Sequence, residues 1–194
     1  MDEQNDNSER YKVIIIGDSA VGKSSIASRQ CNSEFEPDMG PTIGSAHFMT
    51  TIPLGDRKVT LVVWDTAGQE EFAPLVPMYS RKANCALIVG SVDSPESINN
   101  MKKWEDVILQ SGEKPAIIAV INKIDLAKDE TQTIDDLKFR LKGEFEDIFF
   151  VSAKTGSNIQ ELFISVAMKC TATNQIETGT APKLTTQTTK KLCC

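Results

Sequence analysis

Gly17, Gly22, Lys23 and Ser24 stand in the run Gly17-Asp18-Ser19-Ala20-Val21-Gly22-Lys23-Ser24-Ser25, a Gly-x4-Gly-Lys-Ser pattern. Such a run can hold phosphates. Its backbone N–H groups point at the phosphate oxygens, Lys23 reaches the β/γ oxygens, and the Ser24 hydroxyl takes Mg²⁺. Ser19, Ala20, Val21 and Ser25 complete the cradle. The pattern carries weight only between a strand and a helix. Here Lys12-Val13-Ile14-Ile15-Ile16 reads as a buried strand before it, and Ser24 to Asn32 as a short helix after it. With that context met, a chance match is the weaker reading. Which nucleotide binds stays open at this point.

The elements that must position this loop alternate along the chain. Apolar runs of buried-strand type are Val13–Ile16, Leu61–Trp64, Ala86–Val89, Ala116–Ile121 and Ile148–Val151. Helical spacing runs over Ser24–Asn32, Ser97–Gln110, Ile134–Lys142 and Ile159–Lys169. In the second helix Ile98, Met101, Trp104, Glu105 and Ile108 share one mainly apolar face, with Pro95 starting it and Gly112 closing it. The alternation predicts an α/β fold, a mostly parallel sheet with helices on both faces. One pair departs from it. Phe48–Leu54 and Lys58–Trp64 flank Gly55-Asp56 and read as an antiparallel hairpin, with Pro53 placing the first strand at an edge.

Further polar motifs follow in order. Phe35 to Gly44 is irregular and holds Thr42-Ile43-Gly44. Then come Asp65-Thr66-Ala67-Gly68-Gln69-Glu70, Asn122-Lys123-Ile124-Asp125 and Ser152-Ala153-Lys154. The last three lie at the carboxyl end of an expected strand, where ligands sit in open α/β sheets. This ordered set resembles the Ras-like small GTPases, and within them the Rab family, from Tyr11 to Lys169. The stretches Gly17–Ser25, Thr42-Ile43-Gly44, Pro77-Met78-Tyr79 and Ser152–Thr155 look most like the early-endosomal branch. The resemblance implies a six-stranded sheet with five helices, a slow GTP-hydrolysing switch in vesicle traffic, and Mg²⁺ beside GTP or GDP.

On the resemblance, Asp125 accepts from guanine N1–H and the exocyclic amine, donors that adenine lacks on that edge. Asn122 and Lys123 brace the base and its loop, Ala153 offers a backbone N–H to guanine O6, and Ser152 and Lys154 complete that loop, with Lys154 packing over the ring. Phe35 meets the base edge-on. Asp65 holds Mg²⁺ through water, Thr42 ligates the same ion when GTP is bound, Gly68 offers its N–H to the γ-phosphate, and Gln69 orients the attacking water.

Several residues depart from the family pattern. Glu71 stands where Arg is usual, His47 where Phe is usual, Lys82 closes a segment that usually reads Tyr-Arg-Gly, and Gly90-Ser91 replaces a Tyr-Asp pair. These departures are expected on or near partner-reading surfaces, away from the nucleotide chemistry. Trp64 and Tyr79, the usual aromatic companions of the missing Phe, are present.

Composition sets the outer bounds. The 194 residues suit one domain, and a net charge of −6 argues against charge-driven nucleic-acid binding. The acidic start has no signal-peptide core, and Asp2 excludes N-myristoylation. Five cysteines at unpatterned spacings and one histidine give no metal or disulfide framework. Residues 1–10 read as a disordered leader, 11–170 as the GTPase domain and 171–194 as a flexible tail ending Lys190-Lys191-Leu192-Cys193-Cys194. The Cys193-Cys194 ending resembles that of Rabs carrying two geranylgeranyl groups. The implied partners are an exchange factor, a GTPase-activating protein, a GDP-dissociation inhibitor or escort protein, effectors, and a membrane held through the prenyl anchor. The implied state is a monomer on the cytoplasmic face of an intracellular membrane, the early endosome among the candidates, cycling with the cytosol. Two rival readings are a nucleotide-locked scaffold, which single-turnover hydrolysis would expose, and a metabolic P-loop kinase, which would need an acceptor site and basic lid residues.

Overall fold

The run Val13-Ile14-Ile15-Ile16 is buried on both faces, which requires a strand with a helical layer on each side. A computed structural model describes residues 9–37, 39–40, 42, 44–66 and 75–177, the last five as backbone alone. The chain runs β1 (Glu9–Gly17), α1 (Lys23–Asn32), β2 (Ser45–Leu54), β3 (Arg57–Thr66), α2 (Val76–Ser80), β4 (Cys85–Ser91) and α3 (Pro95–Gln110). It continues with β5 (Ala116–Asn122), a 3-10 turn at Ile124–Leu126, α4 (Glu130–Arg140), β6 (Ile148–Phe150) and α5 (Ile159–Glu177). The six strands lie in the order β2-β3-β1-β4-β5-β6. Among the described strands only β2 and β3 pair antiparallel, with Pro53 of β2 opposite Lys58 of β3. The expected α/β architecture of six strands and five helices is the one observed.

Alternate residues of each central strand feed two cores. Val13, Ile15, Leu87, Val89, Ile118 and Val120 pack with Ile26 of α1 and with Leu162, Phe163 and Val166 of α5. Ile14, Ile16, Ala86, Ile88 and Ile121 pack on the other face with Met101, Trp104 and Ile108 of α3. The period of two therefore sorts each strand's side chains between the layers. Because β1 lies between β3 and β4, the loops after β1 and β4 leave in different directions and open a crevice at the carboxyl ends of the strands.

Element ends moved where tertiary packing decided them. β1 begins at Glu9, inside the expected leader, because Glu9 and Arg10 pair with Val59 and Thr60 of β3. α4 begins at Glu130 rather than Ile134. Asp129 caps it, its side chain accepting from the Gln132 N–H, and Asp-x-x-Gln is a capping pattern readable in sequence. α5 runs on to Glu177, past the expected end at Lys169, since Cys170 and Thr171 still face the core. α2 is a single short turn helix that periodicity could not have flagged. No helix among the described residues is long and apolar enough to cross a membrane.

Candidate nucleotide site

The loop after β1 is shaped by two glycines. Gly17 has φ +141°, and a Cβ there would sit 2.2 Å from the Val89 carbonyl oxygen, so β1 and β4 can approach only without a side chain. Gly22 has φ +92° and precedes α1, and among the described residues no side chain caps that helix, so its first N–H groups can face a ligand. Within the loop the Lys23 ammonium donates to the carbonyls of Gly17 (3.0 Å) and Asp18 (2.7 Å). Burial pulls its pKa down to about 8, against the opposing pull of the Asp65 and Asp18 carboxylates. Among the described residues the buried cation hydrogen-bonds to carbonyls alone, and an incoming phosphate would stabilise it.

Across the crevice, three oxygen side chains converge. Ser24 Oγ donates to Asp65 Oδ2 at 2.5 Å, Thr42 Oγ1 donates to the same oxygen at 3.1 Å, and the two hydroxyls lie 2.7 Å apart. Asp65 is buried, and among the described residues its other oxygen, Oδ1, has no hydrogen-bond partner. Burial raises its pKa, although the Ser24 and Thr42 hydrogen bonds and the Lys23 charge oppose the rise. An orphaned carboxylate oxygen beside two hydroxyls is a hard-oxygen donor set, and it fits a small divalent cation such as Mg²⁺.

The opposite end of the crevice holds the expected base-reading residues. Asn122 is 1 % exposed and donates from Nδ2 to the Val21 carbonyl at 2.9 Å, while its Oδ1 accepts the Ala153 N–H at 3.1 Å. One amide thus ties the phosphate loop to the loop after β6. Ser152 is buried; its Oγ donates to Asp125 Oδ1 at 2.6 Å and accepts the Thr155 N–H at 3.1 Å. The Lys154 ammonium lies 3.9 Å from Asp125 Oδ2. Lys123 has φ +62°, and its ammonium reaches Asp93 Oδ2 at 2.8 Å.

These segments enclose one cavity of about 460 Å³, lined by Ser19, Ala20, Gly22, Lys23, Ser24, Ser25, Phe35, Thr42, Asn122, Lys123, Asp125, Ala153 and Lys154 among others. Val21 and Ser152 stand behind the wall, Val21 in the core and Ser152 as the brace of Asp125. Gly68, Gln69 and Glu71 lie outside the described residues, as do Cys193 and Cys194.

Three supporting side chains, Asp18, Arg29 and Asp93, make contacts that no sequence motif signals. Asp18 accepts from Trp104 Nε1 (2.7 Å) and Asn100 Nδ2 (2.8 Å), which fastens the phosphate loop to α3. Arg29 donates to the carbonyls of Ala153 and Lys154. Asp93 holds Lys123 and accepts from Ser91 Oγ. Burial pushes the Asp93 carboxyl up, but the hydrogen bonds from Lys123 and Ser91 outweigh it, and its pKa ends below the usual value.

The Ser91 contact corrects one expectation. Gly90 and Ser91 do not lie on a partner-reading surface; both are buried in β4. A Cβ on Gly90 would meet Met101 Sδ at 2.9 Å, so glycine lets α3 close on the strand, and Ser91 acts through Asp93 on a cavity residue. Lys82 and His47 are exposed as expected. The His47 ring stands edge-on to Trp64, with Trp64 centred 6.5 Å from Tyr79.

Comparison with known proteins agrees with this geometry. The Ras family model matches residues 12–172. The GTP-binding protein ypt5 of Schizosaccharomyces pombe is 37 % identical over 161 residues, 81 % of this chain and 76 % of that one. The human Ras-related proteins Rab-31 and Rab-22A are 32 % and 34 % identical over 188 residues, 94 % of this chain and 96 % and 97 % of theirs.

Proposed function

Because the chain belongs to the Ras family, in its Rab branch, and is a GTP-hydrolysing switch of membrane traffic, we propose that the crevice binds GTP or GDP through the residues assembled there. The carrying observation is the convergence of Ser24, Thr42, Asp125 and Lys154, from separate segments of the chain, on one cavity beside Gly22 and Lys23.

In this reading the free N–H groups before and within α1 take the β-phosphate, and Lys23 exchanges its two carbonyl partners for phosphate oxygens. Ser24 and Thr42 would hold Mg²⁺ directly and Asp65 through water, and the ion when bound neutralises charge on the β- and γ-oxygens. Thr42 engages only when the γ-phosphate is present, so the loop carrying it is released on hydrolysis. Asp125 reads guanine N1–H and the amine, preset by Ser152. The Ala153 N–H, which serves Asn122 here, meets guanine O6, and the neighbouring Lys154 N–H is a second donor to the same oxygen. Gly68 meets the γ-phosphate and Gln69 orients water. Among the described residues no arginine lines the cavity, which supports slow intrinsic hydrolysis and an arginine supplied by an activating protein.

The wider setting follows from the branch. The protein works as a monomer at the cytoplasmic face of an intracellular membrane of the endocytic route, held by geranylgeranyl groups on Cys193 and Cys194. An escort protein or dissociation inhibitor carries it through the cytosol, and an exchange factor loads it for its effectors. The test is base choice. Asp125→Asn should lose guanine nucleotide and gain relative affinity for xanthosine diphosphate, whose edge offers an acceptor where guanine offers a donor. ATP competing with GTP as an equal for the wild type would overturn the assignment.

A further inference from the structure

Arg29 lies on the outer side of the base-reading loop, 124 residues from its main partner in sequence, and does not line the cavity. Its guanidinium fork spends all three nitrogens on backbone carbonyls. Nε donates to Ala153 O at 2.8 Å, Nη2 to Lys154 O at 2.8 Å, and Nη1 to Ser33 O at 3.0 Å. The same group sits 5.9 Å from the centre of the Phe35 ring, within range of a cation–π contact. Ser33 closes α1 with φ +59°, so the cation also meets the negative end of that helix.

The geometry matters through the peptide joining Ala153 and Lys154. The peptide is planar and trans, so its C=O and N–H point in opposite directions. Fixing Ala153 O against Arg29 on the outside therefore aims the Lys154 N–H the other way, toward the cavity that Lys154 lines. On the inside, Asn122 holds the preceding N–H of Ala153. Ala153 is thus held at its N–H by Asn122 and at its C=O by Arg29, one bond in each of the two peptides that flank its Cα, and the charged donor polarises the Ala153–Lys154 peptide.

We propose that Arg29 is a positioning residue for base recognition, orienting the Lys154 N–H toward the purine 6-oxo group while tying that loop to Ser33 and Phe35 at the exit of α1. The inference rests on the crevice being a guanine-nucleotide site. Removing Arg29 frees the peptide to rotate and releases Phe35 at once, so base contacts and the edge of the pocket loosen together. Lysine cannot replace the fork, because one ammonium cannot reach three carbonyls in a plane.

The experiment compares dissociation of GDP and of 6-thio-GDP from the full chain with Mg²⁺ present, chased by excess GTP. Sulfur is a weak acceptor at the 6-position, and the rest of the guanine edge is kept. The wild type should release 6-thio-GDP faster than GDP. Arg29→Ala should release GDP tenfold faster or more and bring the two rates together, and Arg29→Lys should fall between. Arg29→Lys carries the same comparison if the alanine variant does not fold. A wild-type GDP rate in Arg29→Ala overturns the proposal. So does an equal acceleration of both nucleotides with their ratio unchanged, which would mark a purely structural role. Asp125→Asn is measured alongside. If it leaves the preference for GDP over xanthosine diphosphate untouched, the base-site reading fails and takes this proposal with it. If it shifts that preference while Arg29→Ala behaves as wild type, only the role of Arg29 falls.

Discussion

Gly22→Ala offers a quantitative test of how the phosphate loop and the base loop are joined. An added Cβ would lie 2.3 Å from Asn122 Nδ2, with the Asn122 Cγ at 3.6 Å and nothing else nearer than Ser25 Cβ at 4.0 Å. The clash is therefore with one buried amide. Moving that amide breaks its bonds to Val21 O and from the Ala153 N–H. Left-handed backbone costs a non-glycine residue roughly 1–2 kcal/mol. Each buried hydrogen bond broken with its partner left unsatisfied costs roughly 1–3 kcal/mol. Gly22→Ala alone should then destabilise by roughly 3–8 kcal/mol, and Asn122→Ala alone by roughly 2–6 kcal/mol. With Asn122 already truncated, the new Cβ meets only ordinary contact distance, so the second change should add just the strain of roughly 1–2 kcal/mol. The coupling is the difference, about 2–6 kcal/mol. Urea unfolding of the wild type, both single variants and the double variant reads it, followed by fluorescence of Trp64 and Trp104. Bound GDP adds RT ln(1 + [GDP]/Kd) to the apparent stability, and both residues line the nucleotide cavity, so the GDP affinity of each variant is measured and that contribution subtracted. Additive costs, with Gly22→Ala as damaging in the Asn122→Ala background as in the wild type, would refute the clash and the bridging role of the amide.

Ser24→Asn removes the hydroxyl that meets Asp65 and Thr42. It should weaken GTP more than GDP, by about tenfold or roughly 1.4 kcal/mol, because the triphosphate leans harder on the ion; equal losses in titrations with both nucleotides would contradict this. Joint Cys193→Ser and Cys194→Ser replacement should leave GTP binding intact and move the protein from membranes to the soluble fraction. Intact mass of the wild type from its native cell should show two added isoprenoids, since two lipid chains are needed for stable anchoring. A double variant that still pellets with membranes would place the anchor elsewhere.

Much of this protein is written locally. Phosphate binding uses backbone N–H groups between a strand and a helix, so Gly17, Gly22, Lys23 and Ser24 must keep a tight spacing that a reader can find. Strand and helix periods in the central elements are equally local, because a buried strand must be apolar at successive positions and α3 must repeat at Ile98, Met101, Trp104 and Ile108. The order of the motifs then placed Asp65, Asn122, Asp125 and Lys154 at strand ends and Thr42 in the loop after α1; Thr42, Asn122, Asp125 and Lys154 line one cavity, with Asp65 hydrogen-bonded to Thr42 behind it.

Tertiary structure alone decided what holds those residues in place. Trp104 reads as a core residue of α3, and it is buried, yet its Nε1 fastens Asp18 from 86 positions away. Arg29 belongs to none of the sequence motifs, and it grips Ala153 and Lys154. Gly90-Ser91 reads as a departure at a surface, and it is a buried device by which α3 closes on β4 and Asp93 is turned toward Lys123. The register that carried β1 back to Glu9, and the core that carried α5 on past Lys169, belong to the same class. The physical reason is common to all of them. A ligand-facing group must match a ligand of fixed shape, which forces residue type and spacing. A bracing group need only meet whatever the fold brings near it, and that neighbour is set by sheet order and helix packing, not by the adjacent residues.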